Sequence, residues 1–106
     1  MFFELRQYRV KPEKRQEWVE LMETKIIPFQ ISQGMVVIGS FVGEQEADLY
    51  VWIRRFESEE QRQALYARVY ESDYWKNDIS PQVGDMLDRE RIVVTRLVAT
   101  PKSVIQ

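Results

Sequence analysis

Cysteine and histidine are both absent from this 106-residue chain. The first absence rules out disulfides, thiolate nucleophiles and thiolate metal sites. It fits a reducing compartment, and a cytoplasmic location is the expectation. The second absence removes the side chain that titrates near neutrality and the commonest metal ligand. A His-ligated haem, a His-based zinc centre and a Ser-His-Asp triad are therefore excluded. No apolar run approaches the roughly 18 residues needed to span a membrane. The opening Met1-Phe2-Phe3-Glu4-Leu5-Arg6 lacks the basic and apolar regions of a signal peptide. Charge of one sign is also lacking. Fifteen Lys and Arg face seventeen Asp and Glu, a formal net charge of -2. Neither nucleic acid nor a membrane surface is an expected partner.

What is present is ordinary for one globular domain: 44% apolar and 30% charged residues. Phe2 to Val10 reads as a strand that Lys11-Pro12 breaks. From Pro12 the apolar residues Trp18, Leu21, Met22, Ile26 and Phe29 recur at helical spacing. Pro28 is expected to loosen that helix, and Gly34 to stop it. Met35 to Glu44 reads as a second strand, with Gly39 and Gly43 suggesting a bulge, a bend or the close approach of another group. The short polar link Gln45–Asp48 makes Leu49–Phe56 its antiparallel hairpin partner. Ser58 and Gln61 form a capping box that opens a helix from about Glu59 to Glu71. Asp73 could cap a short turn. Ser80-Pro81 is expected to start a short helix through about Leu87, and Ile92–Ala99 to form the last strand.

The order is β-α-β-β-α-(short α)-β, which predicts a ferredoxin-like βαββαβ subunit of the α+β class. The sheet is expected to be four-stranded and antiparallel, with both main helices on one face. Residues 1–100 make one domain, and residues 101–106 are expected to be a loose C-terminal tail. The strands are apolar on both faces, as in Leu49, Val51 and Ile53 against Tyr50, Trp52 and Phe56. Two helices can cover only one face. The other predicts a second copy packed sheet on sheet, a symmetric homodimer.

Several motifs, in order, resemble the NIPSNAP family. They are Phe3-Glu4-Leu5-Arg6-x-Tyr8 followed by Pro12, then Val51-Trp52 leading to Arg55-Phe56-x-Ser58-x-x-x-Arg62, then Tyr70 and Asp73-Tyr74-Trp75. The resemblance runs from about Phe2 to Ala99. It implies a dimeric α+β barrel, with a pocket between sheet and helices where relatives bind or oxidise small molecules. The sequence departs from the pattern at Glu13, where a glycine often follows Lys-Pro. It also lacks the histidine that haem-degrading relatives use as an axial ligand.

The candidate ligand-binding residues are Glu4, Arg6, Tyr8, Tyr50, Trp52, Arg54 and Trp75. Glu4, Arg6 and Tyr8 share one face of the first strand, and Tyr50, Trp52 and Arg54 share one face of the third. An arginine there can clamp a carboxylate or phosphate. A tyrosine can donate a proton, and an indole can line an aromatic pocket. The competing reading is a structural Glu–Arg pair across strands. Trp18, Tyr66 and Tyr70 are further pocket candidates, with plain core as the alternative. Asp73-Tyr74-Trp75 reads as either a lid or a packing anchor, and Asp88 to Arg91 as solvated charge. No metal or cofactor is called for. Two functions stay open: a cofactor-free enzyme of the oxygenase or isomerase type acting on a small organic molecule, and a non-catalytic homodimeric binding or adaptor module. RNA recognition is disfavoured, because the third strand lacks the Gly-aromatic motif that use requires.

Overall fold

A computed structural model describes all 106 residues. Four strands form one antiparallel sheet: β1 (Phe2–Arg9), β2 (Val36–Val42), β3 (Leu49–Phe56) and β4 (Val93–Leu97), in the order β2-β3-β1-β4. This is the ferredoxin-like arrangement that the element order predicts. β1 and β3 are the central pair, with Glu4 opposite Arg54, Arg6 opposite Trp52 and Tyr8 opposite Tyr50.

The helices cover one face. The first begins later than Pro12, at Arg15. It runs as α1 (Arg15–Leu21), a π-helical turn over Met22–Ile26, and α2 (Ile27–Ser32). The cause of the π turn is local. Pro28 has no N–H, and its ring presses on the carbonyl four residues back. The helix widens there, so that the Ile27 N–H bonds the Met22 carbonyl. Gly34, at φ 108°, ends α2 as expected. α3 (Glu59–Tyr70) starts at Ser58, whose hydroxyl accepts from the Gln61 N–H at 3.0 Å. The Gln61 side chain reaches back to the N–H of Glu57, at 2.7 Å.

The polar stretch after Trp75 is helical. A second π turn spans Trp75–Ile79 and leads into α4 (Ser80–Met86), again immediately before a proline, Pro81. Ser72, not Asp73, caps this segment by accepting from the Trp75 N–H at 3.2 Å. A serine one residue earlier reaches the free amide, while Asp73 is exposed. Gly39 marks the expected bulge, with the β2–β3 register shifting between Val37 and Gly39. A Cβ on Gly39 would lie 2.5 Å from the Phe41 ring, so any side chain there would push that exposed ring aside.

Two apolar clusters fill the space between sheet and helices. One holds Tyr8, Trp18, Met22, Tyr50, Trp52 and Ile79. The other holds Phe2, Met35, Phe56, Leu65 and Val69. The opposite sheet face is largely open, with Phe41 and Val93 each about half exposed. The tail is not loose. The Gln106 side chain donates to the Thr100 carbonyl at 3.1 Å, and Arg55 Nε donates to the Gln106 carbonyl at 3.1 Å. Its Ile105 lies with Phe3, Ile53 and Leu97, so apolar contact with the sheet adds to those bonds.

Lys11-Pro12-Glu13-Lys14 makes a tight turn, closed by Lys14 N–H to the Lys11 carbonyl at 3.1 Å. Glu13 is the one residue other than glycine at positive φ, 64°. It occupies the third place of the turn, where glycine is favoured. A side chain there costs about 1–2 kcal/mol. Glu13→Gly is therefore expected to raise the urea midpoint by an increment worth about 1 kcal/mol, net of glycine's larger unfolded-state entropy.

Candidate functional site

The helix-facing residues of β1 and β3 converge on one buried ion pair. Arg54 is fully buried and Glu4 is 2% exposed. Their backbones are register partners, and Arg54 Nη2 donates to Glu4 Oε1 at 2.5 Å. Burying either charge alone would be costly, so each is bonded several times over. The Tyr66 hydroxyl donates to the Glu4 carboxylate at 2.6 Å and accepts from Arg54 Nη2 at 2.6 Å. Arg54 Nη1 donates to Gln30 Oε1 and to the Tyr70 hydroxyl, both at 2.8 Å. The guanidinium also lies over the Trp52 ring, 4.6 Å from its centroid. Only its Nε has no partner.

Burial alone would push the Glu4 carboxyl up. The charge of Arg54, bonds from Tyr66 and Arg54, and the charge of Arg6 outweigh it, and the group is held below its ordinary 4.5. Tyr8 and Tyr66 are pushed up, by burial first, so both are neutral phenols at pH 7. Tyr50 is likewise pushed up by burial, to about 12, against a hydrogen bond from Ser40.

Beside this pair lies a cavity of about 320 Å³ between sheet and helices. Arg6, Tyr8 and Trp52 come from the sheet. Trp18, Met22 and Ile26 come from α1 and the first π turn. Trp75, Ser80 and Val83 come from the second π turn and α4, and Arg89 from the turn before β4. Both π turns thus serve the cavity, a common location for such turns. The Tyr8 hydroxyl accepts from Arg6 Nε at 2.7 Å and from Trp52 Nε1 at 3.0 Å. Arg6 Nη1 reaches Glu4 Oε1 only at 3.4 Å.

Of the seven candidates, Arg6, Tyr8, Trp52 and Trp75 line this cavity. Glu4 and Arg54 stand behind the lining and hold it through Tyr66, Tyr70 and Arg6. Tyr50 points to the same side of the sheet, but its hydroxyl pairs with Ser40 at 2.5 Å, away from the lining. Trp18 and Tyr70 line the cavity, and Tyr66 does not. Trp75 packs edge-on against Tyr70, ring centroids 4.7 Å apart, which is an anchor's contact. Alternation puts Arg54 and Arg55 on opposite faces of β3, and the strand's own sequence does not say which face the helices cover. Arg54 faces the helices, while Arg55 is on the open face and pairs with Glu57 at 3.0 Å. Sequence reasoning passed over Gln30, Ser80 and Arg89. Gln30 carried a signal, since it sits four residues after Ile26 on the buried stripe. Arg89 carried none, because a charged turn ordinarily faces solvent.

The fold and cavity define a ferredoxin-like α+β protein with an internal chamber between its layers. The family model described as NIPSNAP matches residues 3–102, and the chain belongs to the NIPSNAP family. A NIPSNAP family protein from Agrobacterium tumefaciens has the same fold, with TM-score 0.88 at 21% identity over 99% of this chain and 98% of that one. An uncharacterized NIPSNAP domain protein from Burkholderia xenovorans gives 0.84 at 18% identity, over 97% and 98%. A putative antibiotic biosynthesis monooxygenase from Nitrosomonas europaea gives 0.70 at 12% identity, over 93% and 98%. No curated protein matches the sequence.

Because Glu4 is held below its ordinary value, its contribution to stability is fully present above about pH 4.5. It is lost as pH falls through the lower value of the folded protein. The urea midpoint is expected to fall more steeply below pH 4.5 in the wild type than in Glu4→Gln, measured by circular dichroism at stepped pH.

Proposed function

We propose that this protein binds a small organic molecule in the chamber between sheet and helices, as one subunit of a homodimer in the cytoplasm. The observation that carries the reading is the chamber's wall. It holds all three tryptophans of the chain together with Arg6 and Tyr8. Aromatic walls with a few convergent polar groups are the usual make-up of a ligand site, and about 320 Å³ is the lower end of the usual size. Two similar folds are named as antibiotic biosynthesis monooxygenases, which supports reading the space as a binding or reaction chamber. Any chemistry by this chain's own residues would fall to phenols and guanidiniums.

The dimer reading rests on the open sheet face. Val36, Phe41, Val93 and Leu97 are exposed there, on strands whose other side packs on helices. Apolar side chains gathered on one face favour burial against another copy. A homodimeric adaptor is the second reading, favoured by that same face.

Two measurements separate these readings. Val83→Phe fills the chamber from α4. It is expected to abolish shifts of the Trp indole N–H signals in an aromatic fragment screen, while lowering stability by no more than about 1–3 kcal/mol. Shifts in neither protein would leave the adaptor. Light scattering at micromolar concentration is expected to give twice the 12.7 kDa of one chain. Phe41→Glu is expected to return the mass to one chain.

A further inference from the structure

The chamber's polar groups are almost all donors. The Tyr8 oxygen already accepts two N–H groups, from Arg6 and Trp52. The Tyr70 oxygen also accepts two, from Arg54 Nη1 and from Gln30 Nε2 at 3.2 Å. Ser80 Oγ accepts from Arg89 Nη2 at 3.1 Å. With their lone pairs taken, the two phenols can only donate to whatever else they meet, and neither donates to any protein group. Trp18 Nε1 is buried without a partner. No carboxylate lines the space.

Charge points the same way. The buried cluster holds two guanidiniums, Arg6 and Arg54, against the single carboxylate of Glu4. Glu4 pairs tightly with Arg54, at 2.5 Å, and more loosely with Arg6, at 3.4 Å. Tyr8 and Tyr66, neutral at pH 7, do not supply the missing negative charge. Arg6, the less well paired cation, is the one that reaches the chamber. At the chamber's exposed edge Arg89 has no ion-pair partner at all, only Ser80. Two cations and two free phenol protons therefore border a space walled by aromatic rings.

We infer that the chamber takes a small aromatic carboxylate, its anionic group held by Arg6 and the Tyr8 and Tyr70 hydroxyls and its ring set among Trp18, Trp52 and Trp75. An anion accepts hydrogen bonds and donates none, which matches a lining of donors. Its charge balances the second guanidinium. Arg89 at the edge raises the local concentration of anions and selects against neutral isosteres. This inference rests on the proposal that the chamber is a ligand site, and it names the class of ligand.

The probes are 2-naphthoate and its neutral isostere 2-naphthamide, titrated into the full chain and followed by the three indole N–H signals. All three indoles are expected to shift with 2-naphthoate, with an affinity at least tenfold above that of the amide. Arg89→Gln changes an exposed residue outside the core. It is expected to cut that preference at least threefold by weakening the binding of 2-naphthoate. Arg6→Gln is expected to erase the preference. Equal affinity for acid and amide, or a preference untouched by Arg89→Gln, overturns the anion inference and leaves the ligand chamber standing. No shift with either probe in the folded wild-type protein overturns both.

Discussion

A cation with no access to water sits at the centre of this fold. Arg54 comes from the middle of the sheet and points into the helical layer. Taking a guanidinium out of water costs several kcal/mol, and an ion pair offsets that only with good geometry and further hydrogen bonds. The surroundings meet that demand. Glu4 comes from the neighbouring strand, Tyr66 and Tyr70 from α3, and Gln30 from α2. Every element that meets the Arg54 charge is thereby fixed relative to the sheet. The residue also stands at the seam between the two apolar clusters, with the Trp52 ring on one side and the Phe56 ring on the other.

The chamber inherits its properties from that constraint. Tyr70 reaches both Arg54 and the chamber wall, so Arg54 and Gln30 behind the wall use up the phenol's lone pairs and leave its proton free to donate. Glu4 is drawn so close to Arg54 that Arg6 is left only partly neutralised. The two prolines act on the geometry. Each follows a π turn, and these widened turns bring Met22, Ile26 and Trp75 to the wall. Structure and chemistry are therefore coupled: the pair that holds the layers together also sets what the chamber presents.

The architecture was legible because the strands and helices repeat with different periods. The register of β1 against β3 then puts Glu4, Arg6, Tyr8, Trp52 and Arg54 on one face, as alternation requires. Alternation could not show which face the helices cover, so Arg54 and Arg55 were indistinguishable until the layers were placed. The helical start at Asp73 was masked by Lys76-Asn77-Asp78, whose polarity suits a loop as well as an exposed helix face. The chamber's edge was hidden for another reason. Arg89 reaches it through the fold of a turn, and neither spacing nor composition encodes that approach.

A double-mutant cycle on the central pair tests the account most directly. Glu4→Leu, Arg54→Met and the double variant would be compared by urea unfolding at pH 7. Each single change strands a buried charge and is expected to cost about 3 kcal/mol or more. The double change removes both charges, so its cost is expected to fall short of the sum by about 2 kcal/mol. Losses that simply add would contradict it, showing that Glu4 and Arg54 are buried side by side without depending on each other.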